Sequence, residues 1–240
     1  MARLLVINPN TSASVSERLQ RHVSGAAGAG LQVNTVTARF GAPYIASEAG
    51  YAVAQHATLD AFAVAHAHGQ RPDAVLIGCF GDPGLFALRE GAGVPVCGLA
   101  EASFLAAARH GRFAVVTGGE AWRPMLERLA WSLGHSEALA GIHTVAPTGA
   151  QLAADAEAAR LLLVQACREA VVRFDAEAVI VGGAGLAGLA ASVPVPLIDS
   201  VVAGAQWAME ALRSPAPPPP HAKGFGVAWQ SVSWELESFG

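Results

Sequence analysis

The residue best placed for chemistry in this chain is a thiol. Cys79 sits in the stretch Asp73–Leu85, DAVLIGCFGDPGL, just after the apolar run Ala74–Ile77. A short apolar run closed by turn residues reads as a strand buried on both faces. Asp82 as N-cap, with Pro83 at the first helical position, reads as a helix start. Cys79 is therefore expected between the end of a parallel strand and the start of a helix, where open α/β sheets bind ligands. The helix dipole and nearby N–H groups at such a place favour the thiolate, the reactive form of cysteine.

The other candidate groups read as packing or surface. Cys97 ends a Val-Pro-Val strand and Cys167 lies on a helix, so both are assigned to the core. Three cysteines without a CxxC or a Cys/His ligand pair make neither a disulfide framework nor a metal site. His66-Ala-His68 is the closest metal-like spacing, but residues i and i+2 do not share a helix face. His110 and His143 are spare acids that lie outside the strand-end loops.

The cysteine stretch has an echo. Glu177–Leu186, EAVIVGGAGL, sets Glu177 against Asp73, Ala178 against Ala74, Gly182 against Gly78 and Gly183 against Cys79. Each copy is followed by a Val-Pro-Val segment, Val94–Val96 and Val193–Val195, and GLAEA at Gly98–Ala102 pairs with Asp199–Ala203. LLVINPNT at Leu4–Thr11 pairs more weakly with FAVVTGGE at Phe113–Glu120. Two similar α/β lobes follow, the later one lacking the thiol.

Alternating strand and helix patterns supply the elements that must hold these loops. Strands are expected at Leu4–Asn8, Gln32–Thr37, Ala74–Gly78 and Val94–Gly98, then at Phe113–Thr117, Ile142–Ala146, Ala178–Gly182 and Val195–Ile198. Between them, helices are expected after Ser12, with Ser14 and Glu17 at capping-box spacing, and at Glu48–His68, Ala100–His110, around Trp122–Leu133, Gln151–Arg173 and Val201–Leu212. The fold class is α/β: two pseudo-symmetric lobes, each a mainly parallel sheet flanked by helices, with the active site in the cleft between them. Residues 1–98 plus 205–240 form lobe one and 99–204 lobe two. Residues 215–220, PAPPPP, make a stiff spacer within the C-terminal tail. The tail beyond it, with Trp229 and Trp234, is left open between docking and mobility.

Composition narrows the partners. The 240 residues are 52% hydrophobic and 14% charged, with a net charge of −4 and no basic block, which argues against nucleic acid. No apolar stretch reaches the ~18–20 residues of a membrane span. The N-terminal MARLLVINPN reads as a first strand rather than a signal peptide, so the expected location is the cytoplasm. A small-molecule substrate is the expected partner, with a homo-oligomer left open.

INPNTS at Ile7–Ser12, GCFGDPGL at Gly78–Leu85 and PVCGLAEA at Pro95–Ala102 together resemble the hydantoin racemase family of the aspartate/glutamate racemase superfamily. The resemblance runs from about Arg3 to Leu212 and excludes the Pro-rich tail. It implies an isomerase without metal or cofactor, in which two cysteines face each other across the cleft. One thiolate takes the proton from the substrate's stereogenic carbon and the opposite thiol supplies another, while loop N–H groups hold the carbonyl oxygen. Cys79 matches the first family cysteine. The second falls on Gly183, which carries no proton. The resemblance also implies that Asn8, Asn10, Tyr44, Ile45, Phe80, Gly81, Thr117, Gly118, Ala184 and Gly185 border the substrate. The leading reading is proton transfer next to a carbonyl of 5-substituted hydantoins or related cyclic ureides, altered by the single thiol. A one-thiol decarboxylase is the alternative, although in that group the thiol lies in the second lobe. A non-catalytic binder is the third reading.

Overall fold

The computed structural model describes residues 1–146, 151, 156–183, 193–213 and 224–239. Two four-stranded parallel sheets of the same design organise the chain. The first contains β1 (Ala2–Asn8), β2 (Leu31–Thr37), β3 (Ala74–Ile77) and β4 (Val96–Gly98), in the order β2-β1-β3-β4. The second contains β5 (Phe113–Gly118), β6 (Leu139–Val145), β7 (Ala178–Gly182) and β8 (Leu197–Asp199), in the order β6-β5-β7-β8. The central strands β1, β3, β5 and β7 carry continuous buried runs, as expected for strands covered on both faces, whereas the edge strand β2 is largely open.

Equivalent strands occupy equivalent slots, so the sequence echo is a structural one. It reaches the side chains: Asp73 accepts from the Arg3 N–H at 2.8 Å and Glu177 accepts from the Arg112 N–H at 2.8 Å. Each acidic residue thus ties the start of β3 or β7 to that of β1 or β5. Cys79 and Gly183 follow the two matched strands.

Helices α1 (Ala13–Ala27), α2 (Glu48–Ala67), α3 (Leu85–Gly91) and α4 (Leu99–Ala108) belong to the first half of the chain. Helix α1 lays Leu19, Val23 and Ala27 on the sheet as a 3.6-period stripe. Helices α5 (Trp122–Ser132), α6 (Ala156–Phe174) and α7 (Ser200–Arg213) follow, and α7 returns to pack on α1 and α4. One face of the second sheet, Ala114, Val116, Val179 and Val181, is covered by Leu163, Cys167 and Ala170 of α6. The other face meets α4: Phe113 stacks on Phe104 at 5.5 Å, and Phe104 meets Phe80 of the first lobe edge-on at 6.3 Å.

Two local expectations are corrected, and one left open is decided. Helix α1 begins at Ala13, so Ser14 is already inside the first turn and bonds Ser12 Oγ instead of forming a capping box with Glu17. Asp82 does not cap the helix that follows it: α3 starts after Gly84, and Asp82 adopts a left-handed φ of 53°. The tail docks, with α8 (Trp234–Glu237) against α2. The Pro-rich spacer 215–220 lies outside the described residues, as do positions 152–155 of the expected Gln151–Arg173 helix.

Candidate active site between the two sheets

The C-terminal ends of β5 and β7 meet the loop after β3 and the segment that carries Tyr44. The halves touch beside the two matched positions. Phe80 lies flat against Gly182, where a Cβ would stand 2.3 Å from its Cε1, so only glycine fits there. Gly81 is covered by the Trp122 ring, and its carbonyl accepts from Tyr51 Oη at 2.7 Å. Thr117 Oγ1 donates to the Gly182 carbonyl at 2.9 Å, which joins the ends of β5 and β7. Tyr44 Oη reaches across from lobe one to donate to the Gly118 carbonyl at 3.5 Å. Arg128 of α5 and Glu48 at the start of α2 pair through two bonds of 2.8 and 2.9 Å, with Arg128 also over the Tyr51 ring. Gly183 has φ 135° and donates its N–H to Ser200 Oγ at 3.3 Å.

Other expected site residues act on the loops themselves. Asn8 is fully buried and its amide donates to Asn10 Oδ1, the Ser12 carbonyl and Ser16 Oγ, while Asn10 Oδ1 accepts from the Ser12 N–H. Both asparagines shape the β1–α1 turn. Ile45 is buried in the main core at the end of the loop that carries Tyr44. Ala184 and Gly185 lie outside the described residues.

Cys79 is 9% exposed, and burial, with a further push from Asp82, raises its thiol well above the ordinary range. This direction runs against the expectation of a thiolate favoured by a following helix. The helix terminus beside it is that of α4, and Asp82 occupies it. The Asp82 carboxylate accepts from the N–H groups of Ala100 at 2.9 Å and Glu101 at 2.8 Å, capping a helix whose own N-cap, Gly98, has no side chain to offer. A Cβ on Gly98 would fall 2.0 Å from Asp82 Cγ, so Gly98 makes the room. Asp82 also donates its N–H to the Cys79 carbonyl at 3.2 Å, which ties the cap to the cysteine loop.

Cys97 and Cys167 are fully buried, and Cys97 Sγ donates to Glu101 Oε2 at 3.1 Å. His68 Nδ1 turns back onto the Val64 carbonyl while His66 packs on Phe239, so the two rings diverge. His110 ends exposed beyond α4, and His143 lies on β6 with Nε2 3.7 Å from Glu169.

A family model described as Asp/Glu/Hydantoin racemase matches residues 4–208. The chain belongs to that family. A hydantoin racemase of Pseudomonas sp. (strain NS671) is 34% identical over 211 residues, covering 86% of this chain and 84% of that protein. A hydantoin racemase of Paenarthrobacter aurescens is 33% identical over 215 residues, covering 86% and 89%. The solved structure of an allantoin racemase from Klebsiella pneumoniae superposes with a TM-score of 0.88 at 27% identity, covering 100% of this chain and 99% of that one. Family membership supports a racemase-type isomerase and matches the two-sheet architecture.

Asp82 gives this family member a testable pH signature. Burial lifts its carboxyl to about 7, against the N–H groups that pull it down. A raised carboxyl keeps its proton in the folded state between its unfolded value near 4 and about 7, so stability is highest below that window and declines as pH rises through it. In Asp82→Asn, urea unfolding at pH 5 and pH 7.5 should show this decline, on the order of 2–3 kcal/mol, largely removed. An unchanged slope would place the titration elsewhere.

Tyr51, Trp122, Asp82 and Ser200 are site-forming residues that the sequence reading did not select. Only Asp82 and Trp122 had left a mark in it, one as a supposed cap of its own helix and one as a helix packing residue.

Proposed function

We propose that the chain catalyses proton transfer at the carbon next to a carbonyl of 5-substituted hydantoins or related cyclic ureides, with Cys79 as its proton carrier. The observation that carries this reading is the matched placement of Cys79 after β3 and Gly183 after β7, whose neighbours Phe80 and Gly182 touch. The names of the hydantoin and allantoin racemases support the substrate class. The cysteine thiolate removes the carbon-bound proton and becomes a thiol; the electron pair moves onto the adjacent carbonyl oxygen. N–H groups from the loops after β3, β5 and β7 stabilise that oxygen. The thiol then exchanges its proton with water and returns one to the same face. Gly183 leaves the opposite face without a donor, so exchange with retention outruns inversion. Asn8 and Asn10 fix the first loop, and Tyr44, Ile45, Phe80, Gly81, Thr117, Gly118, Ala184 and Gly185 border the ligand.

The test is incubation of one enantiomer of 5-benzylhydantoin in D₂O, with mass spectrometry and polarimetry on the same samples. Deuterium uptake should run ahead of the loss of optical rotation. Uptake no faster than in an enzyme-free control would overturn the reading. Equal rates of uptake and rotation loss would overturn the one-face mechanism.

A further inference from the structure

We propose that the C-terminal tail positions the loop bordering the cleft, with Glu235 as a positioning residue that acts through Arg39. The kinetic part of this inference rests on the proposed site. The tail residues 224–239 lie beyond the span matched by the family model, which ends at residue 208. They nevertheless close onto the segment that carries Tyr44 and Ile45.

Arg39 stands at the junction. Its Nη1 and Nη2 donate to the two Glu235 carboxylate oxygens at 3.1 and 2.8 Å. Its Nε and Nη2 donate to the two oxygens of Asp60, on α2, at 2.8 Å each. Ser233 Oγ adds a further bond to Asp60. Asp60 and Glu235 are 1% and 4% exposed, so one guanidinium pairs with two buried carboxylates. Such bidentate pairs fix direction as well as distance. Arg39 opens the 39–47 loop, which is tied mid-way by the Thr11 N–H to the Ala42 carbonyl at 3.1 Å. The loop ends at the buried Ile45, with Tyr44 extended to Gly118 in the other lobe. Trp229, Val232 and Leu236 of the tail also share with Tyr51 and Asp82 the lining of a cavity of about 500 Å³.

The tail does not depend on Glu235 to stay docked. Phe239 packs on Phe62 at 5.3 Å, on His66 at 5.0 Å and on Phe225 at 5.3 Å, and Leu236 is 1% exposed. Removing the Glu235 charge therefore loosens the loop and leaves the tail in place. In the Glu235→Gln full-length protein, amide hydrogen exchange over residues 39–47 should accelerate while α1, β1 and the tail packing around Phe239 keep their protection. With 5-benzylhydantoin, KM should rise about three- to tenfold, as loss of one charge-assisted contact predicts, with kcat within twofold. Trp234→Ala, at a position 64% exposed on the same helix, should match the parent in both readouts. Unchanged exchange over 39–47 would overturn the inference, and so would a faster exchange spread through α2 and the whole tail, or a loosened loop with unchanged KM. If the parent neither binds nor exchanges 5-benzylhydantoin, the functional reading fails by itself. Hydrogen exchange then decides alone, with selective loosening of 39–47 supporting the positioning role and its absence overturning it.

Discussion

Cys79→Ala should abolish deuterium uptake into a 5-substituted hydantoin, a loss of at least ~10²-fold set by the removal of a positioned general base. Cys97→Ala should leave uptake intact. Both thiols are buried and both are pushed upward by burial, so ionisation alone does not separate them. Geometry does. Cys79 lies at the strand end beside Phe80 and Gly81, which touch the second lobe, whereas Cys97 is fully buried inside β4 and spends its S–H on Glu101 and the Gly98 carbonyl. The elevated Cys79 thiol adds a pH signature. Because the base is the thiolate, the fraction that can accept a proton rises about tenfold per pH unit below the thiol's own value. The Cys79-dependent rate, taken as parent minus Cys79→Ala, should therefore climb from pH 7 to pH 9 with a slope near one. A flat difference over that range, or full uptake in Cys79→Ala, would assign the proton to another group. Substitution by Ala in a packed pocket also costs some stability, so each variant needs an unfolding curve to show that it is folded.

The two-sheet fold was legible because its signals are local and occur twice. Ala74–Ile77 and Ala178–Val181 read as doubly buried strands, and the acidic residues before them, Asp73 and Glu177, make the same bond in both lobes. Element ends were less legible where a residue serves a distant partner. Asp82-Pro83 has the composition of a local helix start, yet the carboxylate is taken by Ala100 and Glu101, eighteen and nineteen residues on. No spacing rule distinguishes a local cap from one supplied to another helix. Burial and the nearby Asp82 carboxyl push the Cys79 thiol in the direction opposite to the expected thiolate, and neither effect is visible in local spacing. Ser14 and Glu17 had the right spacing for a capping box but start two residues past the N-cap Ser12. Of the candidate positions, Cys79 stands out by its strand-end place, whereas Tyr44 and Thr117 rest on the family resemblance. Tyr51 and Trp122 were not legible, because each is one aromatic among the packing positions of an ordinary helix. The docked tail rests on Arg39 and Glu235, 196 residues apart, a separation at which sequence pattern carries no pairing information.

Gly183→Cys should create racemisation, with the rate of optical-rotation loss rising ~10²- to 10⁴-fold, the usual contribution of one positioned general acid or base. The matched strands place residue 183 where Cys79 stands in the other lobe, and inversion requires a proton delivered opposite to the one removed. The gain has a cost in this chain. Gly183 has φ 135°, a conformation that L residues with a side chain rarely hold, whereas Cys79 is not among the described residues with positive φ. The new cysteine must turn the backbone toward Cys79-like angles or carry on the order of 1–3 kcal/mol of strain. Turning it also disturbs the Gly183 N–H to Ser200 Oγ bond, which anchors this loop to the start of α7. The variant is therefore expected to be less stable than the parent and yet faster at inversion, an opposite movement of two quantities that simple damage does not produce. The double variant Cys79→Ala with Gly183→Cys should lose racemisation again, because each thiol serves only one face. A folded Gly183→Cys protein that inverts no faster than the parent would remove the mechanistic meaning of the lobe-to-lobe match. Racemisation surviving in the double variant would show that the new thiol works without Cys79, and the two-face arrangement would fail with it.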